Sequence, residues 1–437
     1  DSSMILTDPG AIGLSGTPAT AGTLTGVNGS NINNIVNLDR DPFANTSAWG
    51  ASLNTTIQLG SYKLSNIIAY RKWQQENDRD NDQTQLPFSL KQLENRDVSW
   101  FSEEIHLSSP VSENFNYIVG LYYYQSENLD NSGDARTLSN YPYLFDYNLA
   151  NNTIKNTNAA VFGQLDFNLS NNLKVFLGGR YLYDEVSAQL SRRAYTQNNP
   201  YLSDGEIIST RNVDIVTNQH STTDLIGKMG VQWDWQPNVM LYSSYSRGFK
   251  GGGFNTSFKF NVESFLNDEP VDPETSDTLE LGLRSDWLKE TLRINTTFFY
   301  TQYHHLQLTV RDLVNNRNVL GSVPRVLTKG LEVDFFVVLS TKTKIEGALT
   351  YLDASYDDFT NANCYSGQTV AQGCIKTTQG NIQNLTSHTL ANAPKWKSTI
   401  GLRHSLIISN YQLDIESNFR VQSKVNLDSA GNIEGEH

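Results

Sequence analysis

From Leu279 to Leu283 every second residue is a leucine, and Glu280 and Arg284 stand in the alternate positions. Side chains of a β-strand point to opposite faces in turn, so this segment reads as a strand with one apolar and one charged face. The pattern recurs along the chain. Leu331, Val333, Phe335, Val337 and Leu339 lie opposite Glu332 and Asp334. Val175, Leu177, Tyr181 and Tyr183 lie opposite Arg180 and Asp184. Before Gln236-Pro-Asn238, one face holds Leu225, Met229, Val231, Trp233 and Trp235, and the other Lys228, Gln232 and Asp234. Charges at mid-strand on an inner face do not fit the dry core of a small sandwich. A wet lumen with lipid outside accommodates them.

The connections between strands are asymmetric. Tight turns are expected near Gly60-Ser61, Pro110 to Asn114, Ser170 to Asn172, Gln236 to Asn238, Leu288 to Glu290, Ser340 to Lys342 and Ile408 to Asn410. Long polar segments alternate with them, at 74–97, 127–155, 186–220, 250–275, 304–327 and 354–392. Short periplasmic turns and long extracellular loops have this arrangement in outer-membrane barrels. A propeller would repeat a blade motif about every 40–50 residues, and no such motif is visible. Seven hairpins make 14 strands. The expected fold is therefore all-β, a transmembrane antiparallel up-and-down β-barrel.

Composition closes off other classes. With 38% hydrophobic residues and a mean hydropathy of −0.44, the chain has no run near the ~18 apolar residues of a membrane helix. Its longest uncharged apolar run is Phe335 to Leu339. The 11% of aromatic residues suits girdles at two membrane interfaces. A formal charge of −13 argues against nucleic acid as a partner. Cys364 and Cys374 are the two cysteines, set in a polar segment rich in Gly, Asn, Gln and Thr. They read as a disulfide of an oxidising compartment, with two free thiols as the alternative. A metal would need further thiols or imidazoles to complete its shell.

The stretch Tyr242-Ser-Ser-Tyr-Ser-Arg-Gly-Phe-Lys-Gly-Gly-Gly-Phe-Asn255 resembles the "YSRGFKxGGFN" signature of TonB-dependent outer-membrane receptors. Other segments follow in the family's order. Leu64-Ser-Asn-Ile-Ile-Ala-Tyr-Arg71 is similar to "LTSITAYR", and Phe101-Ser-Glu-Glu-Ile-His-Leu-Ser-Ser-Pro110 to "FSQELRLSSP", with Glu103 for Gln and His106 for Arg. Tyr117 to Tyr124 is similar to "WVAGLYYY", Pro273 to Arg284 to "PETSDTLELGLR", Lys329 to Asp334 to "KGLEVD", and Ala393 to Lys397 to "APKWS". Each is weak alone; together they cover most of 46–424. The resemblance is to a siderophore-receptor-like subgroup common in sphingomonad-like bacteria.

That resemblance implies a barrel of about 22 strands, of which this chain holds the middle. Residues 1–45 would be the tail of a preceding extracellular loop, 46–424 the barrel strands and loops, and 425–437 the start of a further loop. No secretory leader opens the chain, and both ends read as internal. The plug domain, the TonB box and the closing strand are not in it. The implied function is active uptake of a bulky, scarce solute, above all a ferric siderophore, across the outer membrane of a Gram-negative bacterium. Outer-membrane lipid, the TonB energy-transducing complex acting through a plug, and the solute are the implied partners of a monomer. The alternative is a passive porin for small solutes; an adhesin or phage-receptor role for the loops fits either.

Tyr122, Tyr124, Tyr242, Arg247, Phe249 and Lys250 are the candidate ligand contacts. Aromatic residues at strand tops suit planar or catecholate ligands, and suit an interfacial belt equally. Asp78-Arg-Asp-Asn-Asp-Gln-Thr84 spaces carboxylates as a calcium loop does but lacks the glycine and distal glutamate of an EF-hand. His304-His305 reads as a membrane-interface pair in preference to a metal site. The expectation is no metal, no cofactor and no enzyme: no nucleophile elbow is present, and Gly251-Gly-Gly253 precedes no helix that would make it a phosphate loop.

Overall fold

The computed structural model describes residues 41–79, 89–138, 141–198, 207–255, 265–266, 270–312, 317–365, 367–377, 380–427 and 431. Each tight turn closes a hairpin. β1 (Phe43–Leu59) turns through Gly60 and Ser61 into β2 (Tyr62–Arg79). β3 (Ser89–Ser108) passes Pro110 into β4 (Phe115–Leu138), and β5 (Tyr141–Ser170) turns at Asn171 into β6 (Leu173–Asn198). Pro237 and Asn238 join β7 (Ile207–Gln236) to β8 (Val239–Lys250). β9 (Glu274–Trp287) and β10 (Leu292–Asp312) form the next hairpin, then β11 (Arg317–Ser340) and β12 (Thr343–Asp358).

Beyond β12 lies a small three-stranded sheet of β13 (Ala362–Asn363), β14 (Ile375–Thr377) and β15 (Gly380–Gln383). The last hairpin is β16 (Trp396–Ile408) and β17 (Tyr411–Gln422). All pairing is antiparallel. The large sheet has 14 strands in the order β1 to β12, then β16 and β17. Every strand pairs with its sequence neighbours in that series.

The register fixes the two faces. Leu121, Val161, Tyr181 and Leu225 form one cross-strand row, and Tyr245, Leu279 and Tyr300 another. All seven are exposed, Leu225 at 65%, and Leu281 in the adjacent outward row is 48% exposed, as a surface meant for lipid must be. The opposite face carries Arg180, Asp184, Glu280, Arg284, Glu332 and Asp334 by alternation. On it Phe162 covers Gly120, Phe176 covers Gly230, Tyr242 covers Gly282 and Phe299 covers Gly330, each pair directly opposed across two strands.

The long polar segments differ from expectation. Four of the six are largely strand: β4 runs to Leu138 and β5 starts at Tyr141, so 127–155 is a paired hairpin. Beyond the bilayer both faces meet water, so apolar alternation disappears from the sequence while backbone pairing continues. The described residues of the connections after β8 and after β12 leave the large sheet and fold back over the lumen face. Phe254 and Phe265 pack on Val186, Ala188 and Leu190 of β6. Phe359, Ala362 and Leu385 pack with Val323, Val326 and Tyr356 of β11 and β12.

One short turn holds three consecutive residues in the left-handed region, Leu288 (φ 51°), Lys289 (φ 58°) and Glu290 (φ 68°). A side chain there costs of order 1 kcal/mol that glycine does not incur. Lys289→Gly is expected to raise stability by about 1 kcal/mol, partly offset by the looser unfolded chain. Thermal unfolding of the refolded barrel measures it, and a lowered midpoint would show that the Lys289 conformation is not strained.

Candidate functional site

The Tyr242–Asn255 segment is the end of β8 followed by a corner that leaves the sheet and enters the barrel mouth. Gly251 passes so close to β6 that a Cβ there would collide with the Asp184 carboxylate. Gln307 of β10 donates from Nε2 to the Gly251 carbonyl (2.8 Å) and the Asp272 carbonyl (3.0 Å). Its own amide donates to Glu274 Oε2 at 2.8 Å. Asn255 then pairs with Leu320 of β11 in both directions: Oδ1 accepts the Leu320 amide at 2.5 Å, and Nδ2 donates to its carbonyl at 3.3 Å. The side-chain amide imitates a strand edge. The corner is a strap pinned to β10 at Gly251, to β6 through Phe254 and to β11 through Asn255.

Below the strap on the lumen face, Arg180 stacks over Tyr122, with Cζ 4.5 Å from the ring centroid. It donates to Asn158 Oδ1 at 2.9 Å, and Asn158 Nδ2 donates to Asp184 Oδ2 at 3.0 Å. This network joins β4, β5 and β6 to the strap. Guanidinium, amide, carboxylate and phenol side by side can bind polar solutes, yet they offer no activated nucleophile or paired acid and base. Higher on the same face, Arg96 Nε bonds Asp130 Oδ2 at 3.3 Å. Burial pushes the Asp130 carboxyl up from its ordinary range, against the pull of Arg96.

The six candidate contacts are not one cluster. Tyr122 and Tyr124 face the lumen on β4, and Tyr242 faces it on β8. The register carries Tyr122 through Ala160 and Leu182 to Asp224, whereas Tyr242 lies beside Gln232. Asp224 and Gln232 are roughly 26 Å apart along β7 at the usual rise per residue. Tyr242 also lies flat over Gly282, with its hydroxyl 3.1 Å from Thr297 Oγ1, as a wall residue does.

Arg247 and Phe249 alternate to the outside of β8. Lys250 returns to the lumen side, its Nζ 3.8 Å from Glu274. Cys364 and Cys374 are bonded to each other. His304 Nε2 is 4.0 Å from Asp277 Oδ2, an outward-facing carboxylate, and His305 sits in a left-handed kink (φ 54°). Residues 80–84 of the candidate calcium loop lie outside the described residues. Among the described residues no group of three His, Cys, Asp or Glu is placed to hold a metal. The sequence reading did not single out Asn158, Asn255 or Gln307 as site residues; Asn255 lay within the signature, but its partner is 65 residues away.

A single antiparallel sheet with lipid-suited and water-suited faces, short turns at one end and inward-folded loops at the other, defines the wall of an outer-membrane barrel. Residues 5–433 match the family model described as TonB dependent receptor-like, beta-barrel. The chain belongs to that family and to the outer membrane of Gram-negative bacteria. It is 21% identical over 201 residues to the probable TonB-dependent siderophore receptor PiuA of Acinetobacter baumannii, covering 46% of this chain and 25% of PiuA. The ferric yersiniabactin uptake receptor FyuA of Yersinia pestis shares the fold with a TM-score of 0.65 at 13% identity, over 94% of this chain and 55% of FyuA. The ferric citrate transporter FecA in its unliganded form gives 0.56 at 16% identity, over 88% and 50%. The chain thus spans about a quarter of the first of these proteins and about half of the other two.

Proposed function

We propose that this chain is the wall and mouth of a gated receptor that takes up a bulky, scarce solute, a ferric siderophore. The observation that carries the reading is the mouth itself. Two connections fold inward over the lumen face and are pinned there by Asn255, Gln307 and two apolar clusters. Capture of a large solute needs such a shaped, preorganised entrance, whereas bulk diffusion of small solutes does not. The similarity to PiuA, a probable siderophore receptor, FyuA, a ferric yersiniabactin uptake receptor, and FecA, a ferric citrate transporter, supports the substrate class. In this reading a plug lies in the part of the receptor outside these 437 residues, and the TonB complex acts through it. The receptor works as a monomer in outer-leaflet lipid, with Tyr122, Tyr124 and Arg180 meeting solute in the lumen and no catalytic step.

The test is uptake of radiolabelled iron, presented as ferric catecholate, ferric hydroxamate or ferric citrate, by cells with and without the full-length gene. Gene-dependent uptake of at least one chelate, abolished when the proton gradient is collapsed, is expected. Uptake that survives collapse, together with a large steady conductance of the purified protein in planar bilayers, would replace the gated receptor with a passive pore.

A further inference from the structure

The lipid-facing wall has a gap in its apolar cover. Outward positions of β5, β6 and β7 carry Val161, Tyr181 and Leu225 in one cross-strand row and Leu165, Leu177 and Met229 in the next but one. The row between them is Gly163, Gly179 and Gly227. The result is an apolar groove of about 670 Å³ on the outside of the barrel. Val119 closes one end beside Gly163, and Arg247 stands at the other beside Gly227. The row crosses four strand spacings, about 19 Å. Val119 is the fifth residue of β4 and Arg247 the ninth of β8, so the groove climbs from the middle of the wall toward the extracellular interface.

Internal packing accounts for only part of this row. A Cβ at Gly227 would press on the Gly178 carbonyl oxygen at 2.5 Å, so glycine is required there. At Gly179 a Cβ would meet no atom within 4 Å, and φ lies outside the left-handed region. Nothing inside the chain demands the missing side chain at 179. The charge at the upper end is the independent observation. The Arg247 side chain is 42% exposed, and its Nη1 is 3.8 Å from Asp277 Oδ1, beyond hydrogen-bond distance. Tyr245 donates its hydroxyl to that same oxygen at 2.5 Å, so Asp277 holds the guanidinium as an ion pair without a hydrogen bond, and its outward N–H groups can reach an anion.

We propose that this groove holds one acyl chain of an outer-leaflet lipid whose anionic phosphate head sits on Arg247. The floor takes the chain, the two apolar rows flank it, and the guanidinium forks onto the phosphate at the height where headgroups lie. A protein partner would cover the flanking rows as well and would need a larger matching surface.

Delipidated full-length receptor in detergent, mixed with one equivalent of dioleoyl phosphatidylglycerol or of dioleoyl phosphatidylcholine, is read by native mass spectrometry. The wild type is expected to retain the anionic lipid about tenfold better, the effect of one charge-assisted hydrogen bond. Arg247→Gln should erase the preference while keeping acyl binding, and Gly179→Leu should lower retention of both lipids. Heat-modifiable gel mobility reports folding, and Gly179→Ala, with a smaller loss, replaces the leucine variant if that one does not insert. Equal retention of the two lipids by the wild type overturns the proposal. So does unchanged retention by a folded Gly179 variant, or a receptor dimer in place of lipid adducts.

Discussion

Leu281→Arg is expected to destabilise the barrel by about 2–4 kcal/mol, the cost of an arginine near the bilayer midplane. Leu281 lies in the middle of β9, between Ser243 of β8 and Phe298 of β10, on the outward row below Leu279. Its neighbour Glu280 pairs with Ser244 and Phe299 and faces the lumen. Glu280→Arg therefore exchanges one hydrated charge for another and should cost far less. Denaturant unfolding of the full receptor, refolded into lipid vesicles, gives both values on one scale. Equal costs for the two variants would mean that the two faces of β9 are assigned the wrong way round. Detergent is a poorer medium for this comparison, because a micelle lets an arginine reach water more easily than a bilayer does.

Removal of the Cys364–Cys374 bond is expected to cost the second connection roughly 2–3 kcal/mol of local stability, as closure of so short a loop implies. The bond ties β13 to the start of β14. The cluster of Phe359, Ala362 and Leu385 on Val323, Val326 and Tyr356 does not depend on it. Cys364→Ser with Cys374→Ser should thus leave the barrel folded and make the 354–392 segment open to protease on whole cells. Peptide mapping without reductant should recover the two cysteines in one linked fragment. Alkylation of both thiols in the native, unreduced protein would sink the idea.

Much of this architecture is legible in the chain, for identifiable reasons. Within the bilayer one strand face meets lipid and the other water, and that contrast writes itself into Leu279, Glu280, Leu281 and Arg284. The short turns announce themselves through residues that punctuate backbone, as at Gly60, Pro110 and Pro237. Where both faces are wet the contrast vanishes. Asn151, Asn152, Thr153, Lys155 and Asn156 read as loop, although each is paired on both sides within β5. The small sheet after β12 is built from segments of two to four residues, too short to leave a period.

The mouth was legible only at its signature. Tyr242 to Asn255 marks the strap, but Asp184, Gln307 and Leu320 come from three other strands and share no spacing with it. Adjacency in a motif also misleads about direction. Tyr242 and Arg247 are five residues apart, an odd number, so the pleat sends one to the lumen and the other to the lipid side. The same arithmetic places Arg180 with Tyr122, through the rows of β5, once the register is known.

The paired extensions of the hairpins have an electrostatic consequence. β5 has 30 residues. At the usual rise and tilt such a strand climbs roughly 75 Å along the membrane normal, against an apolar band of about 25 Å. Some 50 Å of wall therefore stands clear of the lipid. The potential of the anionic leaflet is screened within about 8 Å at physiological ionic strength. An approaching anion meets the top of this wall several screening lengths above the membrane's own charge. Its first reception is decided by the groups carried on these paired extensions, and the negative membrane surface beneath has no part in it.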